Sequence, residues 1–513
     1  MANKRRTAES AGRKTKNTGR YSKRTSTNRL GTFFLTLQAL ISVLFMIVVM
    51  LLGMIPLNYL AMIAMVLVFL WCIAFTSQAA RKKRGTAGKV YSILLTCVLL
   101  LGSYYIAETN NMIARITGGN IRVDKMAVAV RIDDSAETIE DAMDYNFGVQ
   151  FQQGGDNIQT AVTNLQEELG TELTITECDS VQDQAAALTE GKVEAIIYNE
   201  AYTDLMNEAV PGFTDDTKII YEMNIETALN LGGGSDDTLT KEPFTVYISG
   251  IDTYGEVSET SRSDVNIIAV VNPTTHQILL ITTPRDTYVP LYGPDVRDEG
   301  SMDKLTHAGV YGIDTSMETL GELYETDINY YVRLNFTSLI DIVDILGGID
   351  VDSEFEFTTG SESGHVMDVE EGMNHFNGEQ ALAFCRERHN LADGDNQRGK
   401  NQQAVITAVL KKVISPSMLL RATSLMNQVS KDVEMNVTQD QLNALIRNQL
   451  GSGAKWTIQS VALTGEDGRD RCYSASDQLL YVMYPDEDEL DHIIELANIV
   501  EEGGTLPEGE QLN

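Results

Sequence analysis

The chain has 513 residues and a formal charge of −34, enough length and hydrophobic content for more than one buried core. The charge is split: residues 1–107 hold 15 of the 39 Lys and Arg but a single acid, Glu9, so the remainder is strongly acidic. A surface of that sign lacks the basic footprint that nucleic acid requires, and nucleic acid is excluded as a partner.

Residues 1–29 are basic, rich in Ser, Thr and Asn, and read as a disordered tail. Phe33–Ile55, Leu57–Thr76 and Val90–Ala107 are apolar runs that read as three transmembrane helices within 30–107. Lys and Arg cluster in the tail and at Arg81–Arg84. That bias places both basic segments in the cytoplasm and residues 108–513 outside a multi-pass cell membrane protein. Cys72 and Cys97 lie in the apolar runs, leaving Cys178, Cys385 and Cys472 in the exterior part. With no CxxC pair and no His/Cys cluster, a zinc site is excluded.

Residues 108–232 alternate between strand and helix patterns, such as MAVAVRI, DNIQTAVTNLQEELG and VEAIIYN. They read as a small α/β accessory domain, and ALTEGKVEAIIYNEAYTDL resembles a stretch of periplasmic solute-binding proteins. Residues 233–243 are a linker, and its glycines lack the strand and GK[ST] turn of a phosphate loop.

The next domain, 244–500, opens on the strand pattern FTVYISGID, followed by DVNIIAVV, the turn Asn272–Thr275 and HQILLITT. Two apolar runs around so short a turn predict a β-hairpin. Its pairing sets Asp264 beside Arg285 and Asp286, and an antiparallel FTVYISGID brings Asp252 to the same edge. Two carboxylates beside a phosphate suit magnesium, whereas each alone reads equally as turn or cap chemistry. Thr337–Leu346 predicts a helix stopped by Gly347-Gly348, then a strand over IDVDSEFEF.

In NGEQALAFCRERHNLADGDNQRGKNQQ, Arg386, Arg388, Arg398 and Lys400 crowd into an otherwise acidic protein. An extended backbone points Arg386 and Arg388 the same way, and Asp395 and Asn396 are N-cap candidates for a helix on which Arg398 and Gln402 share a face. Forked donors near a helix N-terminus suit a diphosphate, although any one arginine alone reads equally as a surface ion pair. Helices are predicted around 417–430 and 438–450, strands at KWTIQSVAL and LLYVMYP, a helix at DELDHIIELANIV, and a loose tail at 501–513. A disulfide between Cys385 and Cys472 would pin the arginine segment to the domain's end. The alternative is two separate thiols with Cys385 buried.

From Phe244 to Val500 the sequence resembles the LytR-CpsA-Psr proteins of Gram-positive bacteria, through GID at 250, SRSD at 261, TPRDTYVPL at 283, DKLTHAG at 303, IDIVDILGGIDV at 340, NGEQALAFCRERH at 377 and GDNQRGKNQQ at 394. It departs from them at Val265, where threonine is frequent, and at Thr283, where isoleucine is. The resemblance implies an α/β/α domain with a central mixed sheet and an apolar cleft for a polyprenyl chain. It implies a phosphotransferase that moves a teichoic acid or capsular polysaccharide from an undecaprenyl-diphosphate carrier to peptidoglycan. By the same resemblance Asp252 and Asp264 hold Mg2+. Arg285, Arg386, Arg388, Arg398 and Gln402, with Arg262 and Lys304 of the matching motifs, contact the diphosphate. Asp264, Arg285, Arg388 and Asp286 are the catalytic candidates. Two other readings stay open: a hydrolase of the lipid diphosphate, and a non-enzymatic receptor for it.

Overall fold

The computed structural model describes residues 29–79, 86–116, 121–151, 155–228, 239–251, 260–391, 394–415, 418, 433–475 and 478–507. Residues 1–28 of the basic tail, residues 233–238 of the glycine-rich linker, Asp252 and nearly all of the helix expected around 417–430 lie outside them. The chain divides into two compact units, Met1–Ile47 with Ala61–Ser103 and Val48–Leu60 with Tyr104–Asn513. The helices Arg29–Leu51, Leu57–Ala79 and Thr86–Ile116 each contain 22 residues long and apolar enough to cross a membrane. Within the first unit the Trp71 indole N–H donates to the Leu35 carbonyl at 3.1 Å, which ties the first two of these helices together.

Between 121 and 228 lies a five-stranded mixed sheet. Its long first strand, Ile121–Arg131, pairs antiparallel with Ala195–Asn199 on one side and with Thr217–Ala228 on the other. The last of these strands is absent from the expected elements, although its burial alternates from Tyr221 to Ala228; the pattern breaks only at its start, where the pairing shifts register opposite Val128 and Ala129.

The second sheet has six strands. Phe244–Gly250 pairs antiparallel with Val265–Asn272, which pairs antiparallel with Gln277–Thr283. The expected hairpin and its neighbour are therefore both present. The turn is fixed by Asn272, whose Oδ1 accepts from the backbone N–H of Thr274 at 3.0 Å and of Thr275 at 3.1 Å. Tyr330–Leu334 adds in parallel to Phe244–Gly250, and Thr457–Ala462 adds in parallel to Gln277–Thr283. The sheet is therefore mixed.

The hairpin is buried on both faces, which accounts for its unbroken apolar runs. Ile268, Val270, Leu279 and Ile281 join the core containing Ile493, Leu496 and Val500 of the helix Glu487–Glu501. Their alternates Ile267, Ala269, Ile278 and Leu280 pack with Ile406 and Leu410 of the helix Gly394–Val413. With strand residues alternating faces, this gives the α/β/α layering.

Some local expectations shift. Phe336–Ile345 is the helix expected at 337–346, capped by Asn335 and ended by Gly347 and Gly348, both at positive φ. The strand expected over IDVDSEFEF ends at Ser353, opposite Gly372, where its antiparallel partner Gly372–Phe376 begins. The helix Gly394–Val413 begins ahead of Asp395 and Asn396, so they fall in its first turn and are not its N-caps. The largest difference concerns Arg386. It closes the helix Gly378–Arg386, whose Asn377 side chain accepts from Gln380 N–H at 3.0 Å while the Gln380 side chain accepts from Asn377 N–H at 3.0 Å. A reciprocal cap of this kind holds residues 378–386 helical, and the chain turns extended only at Glu387.

Asn377→Ala should therefore lower stability by about 1 kcal/mol. Chemical denaturation of the purified protein checks this, and an unchanged midpoint would contradict the cap.

Candidate active site

The site grows from the hairpin register. Asn266 faces Thr283, so the residues just outside the pair, Asp264 and Arg285, meet at one sheet edge. Arg285 Nη1 donates to Asp264 Oδ1 at 3.1 Å, and the Thr306 hydroxyl donates to the same oxygen at 3.2 Å. Thr306 is itself fixed by its N–H to the Arg285 carbonyl at 2.8 Å. Asp286 is 8% exposed and lies between two cations, Lys304 Nζ at 3.0 Å and Arg285 Nε at 3.6 Å.

Beside this edge is a cavity of about 310 Å³ with two kinds of lining. Ile248, Leu334, Leu339, Leu382, Val405 and Ile406 supply an apolar wall. Asp264, Arg285, Arg386, Arg388, Arg398 and Gln402 supply charge and hydrogen-bonding groups. Val265 also lines the cavity, so the departure at that position adds apolar surface. A smaller cavity of about 40 Å³ is lined by the same Asp264, Arg285, Arg398 and Gln402, together with Asp286, Lys400 and Tyr481.

Each arginine is held by its neighbours. The Arg386 guanidinium lies 4.5 Å from the centroid of the Phe336 ring, a cation–π contact. Arg388 Nε donates to His389 Nε2 at 3.3 Å. The helix carrying Arg398 is pinned by Asn401 Nδ2, which donates to the Phe384 carbonyl at 3.2 Å. Gln402 Nε2 reaches the Cys385 carbonyl at 3.5 Å. Both carbonyls belong to the last turn of Gly378–Arg386, which has no intrahelical donors for them.

Between the two arginines, Glu387 turns the other way. It is 2% exposed and accepts from Asn390 N–H at 3.0 Å, Arg388 N–H at 3.0 Å and the Ser363 hydroxyl at 2.8 Å, and also from Gly360 N–H. Burial pushes its carboxyl up, but these hydrogen bonds outweigh it and hold the group below the ordinary glutamate value. Glu387 thus ties the arginine segment to the loop 360–363. The sequence reading missed it, although an acid between two arginines of a cationic cluster is a visible signal.

The expected residues Asp264, Arg285, Arg386, Arg388, Arg398 and Gln402 are thus brought together around one cavity. Lys304 is one step removed and acts on Asp286. Arg262 is elsewhere: its Nη2 lies 3.0 Å from Glu208 and its Nε 3.9 Å from Asp204, both in the accessory domain. It sits two residues before Asp264 in an extended segment, yet the side chain is drawn off by those acids. Asp252 lies outside the described residues. Cys385 and Cys472 are free and buried in separate clusters, so the second reading, two thiols, is the one observed. Burial pushes both thiols up to about 12.

Of the two residues expected to hold magnesium, only Asp264 is among the described residues. Asp264 lines both cavities, and among the described residues its hydrogen bonds from Arg285 and Thr306 both fall on Oδ1. One hard carboxylate oxygen beside a cationic pocket matches an ion that takes few protein ligands and completes its shell with phosphate and water.

A family model described as the LytR_cpsA_psr family matches residues 213–496, more than half of the chain. The chain belongs to the LytR_cpsA_psr family. A second model, described as DNA polymerase processivity factor, matches only residues 82–198 and starts next to the third apolar helix. A relative from Bacillus mycoides (strain KBAB4), the polyisoprenyl-teichoic acid–peptidoglycan teichoic acid transferase TagU, is 33% identical over 246 residues, 48% of this chain and 75% of the relative. Biofilm regulatory protein A of Streptococcus mutans serotype c is 32% identical over 46% of this chain and 60% of its own length. The crystal structure of B. subtilis TagV aligns with a TM-score of 0.42 and 27% identity over 52% of this chain and 99% of that one.

A depressed carboxyl stabilises the fold above its unfolded value and loses that contribution as pH falls through its folded value. Glu387→Gln should cost about 1–3 kcal/mol at neutral pH. The gap from the wild type should narrow once pH falls below the ordinary glutamate value and vanish only at the lower pH where the depressed wild-type carboxyl itself protonates. Urea unfolding at a series of pH values checks this, and a pH-independent gap would contradict the ionised clamp.

Proposed function

We propose that the chain is a membrane-anchored phosphotransferase that moves an anionic glycopolymer, of teichoic acid or capsular type, from an undecaprenyl-diphosphate carrier to peptidoglycan. The observation that carries this reading is a single cavity of about 310 Å³ lined by both an apolar wall and four arginines. An isoprenoid chain ending in a diphosphate has that same division between hydrocarbon and charge. The name of the Bacillus mycoides relative, a polyisoprenyl-teichoic acid–peptidoglycan teichoic acid transferase, supports it.

In this reading the apolar wall takes the lipid and the arginines take the diphosphate. A sugar hydroxyl of peptidoglycan attacks the polymer-side phosphorus, the bond to the lipid phosphate breaks, and undecaprenyl phosphate leaves. Arg285, Arg386, Arg388 and Arg398 spread the charge that develops on the bridging and leaving oxygens. The hydroxyl proton passes to a carboxylate beside Arg285, either Asp264 or Asp286. Lys304 and Asp286 hold Arg285 in line with that charge. Mg2+, held by Asp264 and Asp252, would neutralise phosphate oxygens as a Lewis acid. Following the positive-inside bias, the N-terminus is cytoplasmic and residues 108–513 are extracellular.

Removing one such contact costs about 3 kcal/mol, or about a hundredfold in rate. Arg388→Ala and Asp264→Ala should each lose that much transfer in a purified system with lipid-linked donor, peptidoglycan and magnesium, while remaining folded. Normal transfer by both variants would place the site on the wrong residues.

Topology is tested separately with cysteines introduced at Leu57 and at Arg84 in a chain whose native cysteines are replaced. An impermeant thiol reagent should label the first in intact cells and not the second. The reverse pattern would contradict the orientation.

A further inference from the structure

The accessory domain and the domain bearing the site share one hydrophobic core, with Tyr202 of the first edge-on to Tyr311 of the second at 6.2 Å. Where they join, Asp124 is 2% exposed and accepts from four donors. Three belong to the accessory domain: Arg122 Nε at 2.8 Å, Asn157 Nδ2 at 2.7 Å and Asn199 Nδ2 at 2.9 Å. The fourth is the Thr260 hydroxyl at 2.9 Å, four residues before Asp264. Thr260 N–H also donates to the Val123 carbonyl at 3.3 Å. Two residues on, Arg262 reaches Glu208 at 3.0 Å.

The intervening residues face the catalytic domain. Ser263 Oγ lies 2.9 Å from the Tyr247 hydroxyl and 2.8 Å from Ser249 Oγ. A Cβ on Gly309 would come within 2.6 Å of the Ser261 carbonyl and 2.8 Å of Ser263 N, so the backbone there has no slack. The segment from Thr260 to Asp264 is thus gripped from both sides, with alternate residues taken by alternate domains. It delivers the carboxylate that meets Arg285.

We propose that the accessory domain is a positioning element for Asp264: Asp124, through Thr260, and Glu208, through Arg262, set the place of that carboxylate without touching substrate. The consequence for rate rests on the proposed function, whereas the grip itself can be read without any reaction. A misplacement of about 1 Å in a reacting group is enough to cost up to about a hundredfold in rate. Partial loosening should cost less.

The test uses the full chain in detergent, with Thr260→Val, the double variant D204N/E208Q, and Glu190→Gln as a control on an exposed part of the same domain. Hydrogen exchange of the amides of 260–264 should accelerate about tenfold in Thr260→Val and D204N/E208Q while the hairpin 265–283 stays protected. Turnover should fall about tenfold with the donor KM unchanged. Adding Arg262→Ala to D204N/E208Q should cause little further loss, because both remove one interaction. Unchanged exchange at 260–264, or faster exchange with normal turnover, would overturn the proposal. So would a large loss in Arg262→Ala beside normal transfer by D204N/E208Q, which would return Arg262 to the substrate. A wild type inactive in transfer would instead sink the functional reading, and the exchange comparison would still decide this one.

Discussion

The site depends on the register of one β-hairpin. Because strand side chains alternate faces, a one-residue slip between Val265–Asn272 and Gln277–Thr283 would separate Asp264 from Arg285 and exchange the two buried faces. That slip is resisted from both layers at once: Ile268 and Ile281 are committed to one core, Ile267 and Leu280 to the other. The Asn272 turn fixes the near end and the Asp264–Arg285 pair closes the far end. Packing energy in the sheet is thereby converted into the placement of two charges.

Those charges sit in an unusual field. The part of the chain after residue 107 is strongly acidic, yet the cavity edge gathers Arg285, Arg386, Arg388 and Arg398. A distant acidic surface repels an anionic polymer weakly through water and salt, whereas forked donors at contact act through a partly dry site. The arrangement favours a ligand whose charge is concentrated in one headgroup. The neighbouring groups serve that end: Phe336 faces the Arg386 guanidinium, Asp286 steers Arg285, and Glu387 ties the arginine segment to the loop 360–363.

Much of this was legible in the chain. The hairpin, its antiparallel neighbour and the pairing of Asp264 with Arg285 follow from apolar run length and one short turn, all local signals. Arg398 and Gln402 share a face because both lie on one helix. What the sequence hid was set by partners remote in the chain. Tyr330–Leu334 becomes a strand by pairing with Phe244–Gly250, and YYVRL alone carries no clear alternation. Arg386 looks extended beside Arg388, but the Asn377–Gln380 cap carries the helix through it. Arg262 stands in a motif implied to contact phosphate, yet Asp204 and Glu208 of the accessory-domain helix Thr203–Ala209 claim it. The Cys385 and Cys472 thiols, each surrounded by its own apolar cluster, never meet.

The central claim is that a sugar hydroxyl, and not water, displaces the lipid phosphate at the Asp264–Arg285 edge. The most direct measurement is the stoichiometry of one reaction: purified full-length chain, a polymer donor labelled in both lipid and glycan, and peptidoglycan with or without its free hydroxyls blocked. The account predicts one lipid monophosphate released for each polymer joined to peptidoglycan by a phosphodiester, and little release when the hydroxyls are blocked. Equal release with blocked acceptor, leaving a free phosphorylated polymer, would contradict it.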